Sequence, residues 1–509
     1  MNSPENNDSA PVESSEEPVV PQMMTGVVND ALSNKASVPQ SPPSRRLTIG
    51  GVIAWLVVLL ITSGIFYQVV TTQLFTEVEV GGDATSMDLM PMQLQGKVLV
   101  GQKEIAGQTQ MPQELDAGPY EQRLCYTVLL NELESSTEAL EHLRETDEKV
   151  ENANLELTDD QERLRGVILE LFEGYDAGNP DSSAIPSSDR EFLKSKLEWI
   201  GELALYPVDT PHTVERSSII SGANALMTGG IVFMLAAFFL GFTGVVMALV
   251  LGVMMFTGKI SSCFKNQPTD HNVYIETFAV WIAVFFGSSI ALSLLTIESG
   301  ALKMMIQLLI FFGSLAALIW PVLRGVSFSQ VRYDIGWTFK NPIKEVACAI
   351  WVYLATLPFL LPGAILIVII MAIVGGLSEP HEFARQSTPG HPIQEDIMSG
   401  DYLVIGFVFF ATCVAAPIVE ETMFRGVLYR HLRDWTGNWN FIFSVCFAAL
   451  LNGIIFASIH PQGIFGIPVL TTLAIGFTVA RQWRDSLLSS MAMHAMHNFL
   501  VTCVSVLIL

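Results

Sequence analysis

The sequence predicts an all-α polytopic membrane protein. About nine transmembrane helices are expected, with a small, acidic, mostly helical extramembranous domain between the first and second. Three observations lead there. Half of the 509 residues are hydrophobic and only 15% are charged, against about 25% in a soluble domain. The apolar residues gather into runs near or above the ~20 residues needed to cross a bilayer. The net charge of −23 is confined to certain segments: residues 71–220 hold thirty acids and eleven bases, whereas the last 289 residues hold fourteen acids and thirteen bases. This balance excludes a nucleic-acid binder, which needs a basic face, and argues against docking of the acidic part onto anionic lipid. Six scattered cysteines form no C-x-x-C and no metal-ligand spacing.

The elements follow in order. Residues 1–46 are rich in Ser, Pro, Asn and Glu and nearly devoid of aromatics, so they cannot bury enough apolar surface to fold and are expected to be a disordered acidic tail. An uninterrupted apolar run at 47–70, directly after Arg45 and Arg46, is a signal-anchor helix rather than a cleaved signal peptide. Residues 71–220 form the acidic helical domain, expected on the extracytoplasmic side. Helical spacing covers Glu121–Lys149, Asp159–Tyr175 and Ser188–Leu205. Leu124, Val128, Leu129, Leu133 and Leu140 make one apolar stripe, and Thr158 with Gln161 reads as a capping box. No chemical motif lies in this domain.

Beyond 220, hydropathy stays high. Spans are expected at 226–256, 275–297, 302–323, 345–375, 403–427, 440–460, 464–481 and 486–508, the first of them long and Gly-rich. Residues 221–329 are taken as transmembrane helices and 330–509 as a transmembrane catalytic domain. The positive-inside rule supports the count. With the amino end in the cytoplasm, Lys259, Lys265, Arg324, Arg332, Lys340, Lys344, Arg430, Arg433, Arg481 and Arg484 all fall inside, and only Lys303 and Arg385 flank spans outside. The expected location is an integral protein of the cell membrane.

Ionisable residues within spans are costly and usually face a bundle interior or a water-filled cavity. Glu420, Glu421 and Arg425 sit in one span, Asn452 and His460 in another, and His494, His497 and Asn498 in the last. Glu421 and Arg425, four apart, can pair on one helix face. Glu420 lies about 100° round the helix and can point elsewhere. Asn452, Phe456 and His460 form one stripe, and His494 and Asn498 share another face. Glu420 and His494 come out at similar depth, roughly 15 Å inside, whereas His460 comes out nearer 25–30 Å if its helix starts at Asn440. It meets the others only if that helix begins below the membrane surface or tilts. Each feature alone has a packing explanation: an interhelical hydrogen bond, a structural ion pair, an Asn as helix glue. Their concentration in three of the last four spans points to a site.

No hydroxyl or thiol nucleophile stands beside a base at a recognised spacing, and H-E-x-x-H is absent because His381-Glu382-Phe383-Ala384-Arg385 ends in arginine. Water is then the nucleophile. A desolvated carboxylate can act as general base, with a His polarising the same water. A His and an Asn can donate to a developing oxyanion. The same Glu420, His460 and His494 could instead hold Zn²⁺. No cofactor is required by the water mechanism.

The motifs E-E-x-x-x-R (Glu420 to Arg425), F-x-x-x-H (Phe456 to His460) and H-x-x-x-N (His494 to Asn498) occur complete and in order within 79 residues. In this the sequence resembles the CPBP intramembrane protease family, which includes type II CAAX prenyl proteases and is also called the Abi family. The resemblance covers roughly 330–509. It implies endopeptidase activity within the membrane on a peptide or protein substrate. Glu420 and His460 would activate the water, His494 and Asn498 would form the oxyanion hole, and Glu421 and Arg425 would be a supporting pair. The family has been described both as metal-dependent and as using a metal-free glutamate mechanism. The acidic insert and the tail have no counterpart in the family core. Two other functions fit the residues: a non-catalytic immunity or scaffold protein of the same fold, and a proton-coupled transporter. Against the transporter, no paired, Gly/Pro-broken helices recur in two matching halves.

Overall fold

The computed structural model describes residues 47–75, 81–259, 261–264, 272–297, 299–338, 341–375, 383, 396–397 and 400–508. The expectations for the tail at 1–46 and for Lys265, Lys340, His381, Glu382 and Arg385 lie outside the described residues. Among the described residues every regular element is a helix, and nine are long and apolar enough to cross a membrane.

The anchor helix α1 (Ile49–Phe75) is built into the core. Glycines at 50 and 51 let it approach Glu276 and Asn272, where any side chain would collide. One turn on, the Trp55 indole donates to His431 Nε2 at 3.0 Å.

The polar domain follows as α2 (Ser86–Ala106), α3 (Tyr120–Leu133), α4 (Ser136–Asn152), α5 (Asp159–Asp176) and α6 (Ser187–Leu205). The predicted stripe is its interior: Leu124, Val128 and Leu129 are inaccessible, and Leu133 and Leu140 nearly so. The continuous helix expected over Glu121–Lys149 is broken in two. Ser135 adopts extended backbone and accepts from Glu138 N at 3.2 Å, because a serine gains more by capping a new helix than by continuing an old one. The capping box at Thr158 and Gln161 forms as read, both halves present. Helix α2 was not expected; its Pro91, Gln93, Gly96 and Gly101 interrupt any apolar period.

Asp116 is the electrostatic hub of this domain. It takes Arg123 at 3.1 Å, His142 at 3.1 Å and Lys149 at 2.9 Å. Burial opposes its ionisation, but the hydrogen bonds from His142 and Lys149 and the charge of Arg123 prevail and hold its carboxyl well below the usual range. Phe383, from the connection between the fifth and sixth spans, is 1% exposed in the same core. Its ring lies 6.4 Å from Tyr120 and 4.6 Å beneath the Arg123 guanidinium.

Helix α7 (Thr213–Phe256) is 44 residues long and carries the chain from the polar domain through position 220 without a break. The span expected at 226–256 is thus the distal part of a longer rod. The membrane region continues with α8 (Asn272–Ser293), α9 (Gly300–Leu323), the short α10 (Phe328–Ile335), α11 (Pro342–Ile373), α12 (Tyr402–Trp435), α13 (Phe441–Ser458), α14 (Gly463–Arg484) and α15 (Leu487–Ile508). Their apolar outer faces stay exposed, as in Phe233, Phe238 and Phe242 of α7, which fits a lipid environment. Polar groups are gathered inside: Arg425, Arg430 and Arg481 are among the largest fully buried side chains.

Candidate active site

Four helices build the site, and α12 sets its geometry. Two stretches of α12, Ala411–Ala415 and Thr422–Leu428, are π-helical, and they flank the α-helical Ala416–Glu421. Such turns are uncommon and frequent at functional sites. The first has a readable cause. The Ala416 N–H bonds back five residues to Ala411 O, so Thr412 O would need the N–H of residue 417, which is proline and has none. The Asn498 side chain supplies the donor instead, at 2.8 Å. In the second turn, Phe424 O takes the Tyr429 N–H and also Asn452 Nδ2 at 2.8 Å. Two asparagines from neighbouring helices therefore satisfy carbonyls of the widened helix.

Between these turns the two glutamates diverge. Glu421 is fully buried, and its Oε1 accepts from Arg425 Nη1 at 2.9 Å and from His494 Nδ1 at 2.9 Å. The carboxylate can only accept, so the Nδ1 of His494 carries a hydrogen and Nε2 is left to face away. It faces Glu420: His494 Nε2 is 3.9 Å from Glu420 Oε2, and His460 Nε2 is 3.8 Å from the same oxygen. The His460 ring is fixed likewise, Nδ1 donating to Phe456 O at 2.6 Å, which makes its Nε2 an acceptor. Both distances exceed direct hydrogen-bond length and suit a bridging molecule.

Aromatic rings frame the charges. The Arg425 guanidinium lies between Phe456, 4.5 Å away, and Phe477, 5.0 Å away. Phe477 also stacks on His494 with centroids 4.9 Å apart and planes 18° apart. Phe456 lies 4.3 Å from the His460 ring.

Of the residues singled out from sequence, Glu420, Glu421, Arg425, His460 and His494 come together. His460 joins them from the residues just beyond the end of α13, past Ser458. Asn498 is held to α12 through Thr412, one helical stretch away from the carboxylates. His497 turns to Tyr353, whose hydroxyl is 3.2 Å from its Nδ1. Phe477, Trp337 and Thr412 were not singled out. Trp337 Nε1 donates to Thr422 Oγ1 at 3.0 Å, pinning the second π turn. An apolar residue inside an apolar span carries no sequence signal, and a π turn carries none either. An apolar cavity of about 440 Å³ opens beside the site, between Trp337, Pro417, Ile418, Met491 and Ala495. Among the described residues, no group of three or more His, Cys, Asp or Glu side chains is arranged to hold a metal ion.

No curated protein and no solved structure matches the chain. Residues 403–500 match the family model described as type II CAAX prenyl endopeptidase Rce1-like. All three motifs lie inside that segment, and the match supports assigning it to the CPBP/CAAX protease family.

Proposed function

We propose that this integral membrane protein is an intramembrane endopeptidase that hydrolyses a peptide bond of a membrane-associated protein or peptide. The observation that carries the proposal is the convergence of His460 Nε2 and His494 Nε2 on Glu420 Oε2, at 3.8 and 3.9 Å. In the proposed step Glu420 takes a proton from a water that also donates to His460 Nε2. The hydroxide oxygen adds to the carbonyl carbon of the scissile bond, and the carbonyl oxygen becomes an oxyanion. The proton then passes from Glu420 to the amide nitrogen, the C–N bond breaks, and an acid and an amine leave.

His494 and Asn498 would stabilise the oxyanion. For His494 this requires the imidazolium form, since Nδ1–H is committed to Glu421 and only a doubly protonated ring can donate from Nε2 as well. Asn498 gives one amide hydrogen to Thr412 O, and its second would serve the oxyanion. Glu421 and Arg425 act as the supporting pair. No metal enters the step. Were zinc bound, Glu420, His460 and His494 would be the side chains offered to it.

The proposed orientation places the amino end in the cytoplasm of a cell-membrane protein and the acidic domain outside, as the Lys and Arg distribution favours. The test is purification in detergent and cleavage of a quenched membrane-peptide set by wild type, Glu420→Ala and His494→Ala, with and without chelator. Equal turnover by all three proteins sinks the catalytic assignment. Loss of turnover with chelator, together with metal found in the preparation, replaces the free carboxylate by a metal.

A further inference from the structure

The three motifs leave one atom-level question at His494 open. Its Nδ1 is tied to Glu421 at 2.9 Å, which selects the ring torsion. The preference about that torsion is itself broad, so one hydrogen bond holds the ring only within the angular tolerance of the bond. A second constraint narrows it, and the structure contains one outside every motif. Phe477, on α14 and 1% exposed, lies nearly parallel to the imidazole, with centroids 4.9 Å apart and planes 18° apart. Offset stacking of this kind prefers a defined plane.

Phe477 cannot itself drift. The neighbouring Gly476 packs so closely on α11 that a Cβ there would come within 2.6 Å of Thr356 Oγ1. One turn earlier, Ala474 O receives Arg425 Nη2 at 3.3 Å, while the same guanidinium lies 5.0 Å from the Phe477 ring. A single turn of α14 therefore grips both partners of Glu421: Arg425 by a carbonyl and a ring face, His494 by the other use of that ring.

We propose that Phe477 is a positioning residue of the site, setting the plane of the His494 imidazole so that Nδ1 meets Glu421 while Nε2 faces Glu420. The proposal rests on the protease reading for its kinetic consequence and on geometry alone for its spectroscopic one. The test compares full-length wild type, Phe477→Leu, Phe477→Met and Phe477→Tyr in detergent. Two readouts are taken: peptide cleavage, and the Cε1–H resonance of His494 in histidine-labelled protein, assigned by its disappearance in His494→Gln.

Expected for Phe477→Leu is a kcat lower by about 10- to 100-fold with KM within about threefold, as for a misplacement of order 1 Å. The His494 resonance should move downfield as the ring current is lost. Phe477→Tyr, which keeps the ring, should retain both. Phe477→Met gives the same reading if the leucine variant fails to fold. An unmoved resonance, an unchanged kcat beside a moved resonance, or a Phe477→Tyr variant as impaired as the ring-less ones overturns the proposal. If wild type cleaves nothing, the protease reading fails by itself, and the resonance alone decides whether Phe477 sets the ring.

Discussion

Replacing Arg425 by Met isolates what the Glu421 ion pair contributes. Both side chains are fully buried and their closest atoms are 2.9 Å apart. Removing one partner of a buried pair costs about 3–5 kcal/mol, because the other charge is stranded without solvent. Here the loss should fall near the lower figure, since His494 Nδ1 remains 2.9 Å from the same carboxylate oxygen and the methionine still fills the space between Phe456 and Phe477. Glu421→Gln strands the guanidinium instead, again at about 3 kcal/mol, with Ala474 O as its remaining partner. If the two groups stabilise each other, the double variant loses roughly 3–4 kcal/mol rather than the ~6 of the summed singles, a coupling of about 2–3 kcal/mol. Reversible unfolding in mixed micelles, followed by tryptophan fluorescence, measures all four proteins. Costs that add to within about 0.5 kcal/mol would refute the pairing.

Three further outcomes are expected. His460→Ala should lower kcat by about 10²–10⁴, the range for a lost partner in proton transfer, while leaving thermal unfolding within a few degrees; unchanged turnover removes His460 from the mechanism. Acid should weaken the polar domain through Asp116. Its folded carboxyl keeps its charge to lower pH than the unfolded chain does, so its contribution is whole above about pH 4 and is lost as pH falls below that. Asp116→Asn should flatten the acid limb of a denaturation–pH profile, and an identical limb would contradict this. Phe383→Ala should cost the polar domain about 3 kcal/mol or more by emptying a buried aromatic site, seen as faster amide exchange in Tyr120–Leu133; unaltered exchange would show that the ring is a bystander.

How much of this was legible without coordinates depends on what kind of signal each feature leaves. Nine spans could be read because burial in lipid demands a continuous apolar run, and composition records that directly. Thr158 and Gln161 could be read because a capping box is a local pattern. Glu421 with Arg425, and Phe456 with His460, could be read from spacing along a helix. The break at Ser135 was missed because Ser tolerates both helix and cap, and packing of Leu133 and Leu140 decided between them. The upward extension of α7 to Thr213 was missed because hydropathy reports where lipid begins, not where a helix does. The depth argument let His460 meet Glu420 only if its helix began below the membrane surface or tilted, and the two lie 3.8 Å apart. Linear depth along ideal helices ignores the π turns in α12 and the position of His460 beyond the last turn of α13. Phe477 left no trace, since its role depends on the plane of a ring carried by another helix, which no pattern within its own span records.

The length of α7 has a consequence of its own. Forty-four residues at 1.5 Å each make a rod of about 66 Å, more than twice the ~30 Å hydrocarbon thickness. A flexible linker would let the polar domain wander over the membrane surface. A continuous rod acts as a ruler: it fixes the height and azimuth at which α2, packed along it, carries that domain. With Gly244 set against the Leu354 carbonyl of α11, the ruler is also anchored at its foot. Tilting is one way in which a helix meets a change in bilayer thickness, and any tilt of so long a rod is magnified at the domain mounted on its far end.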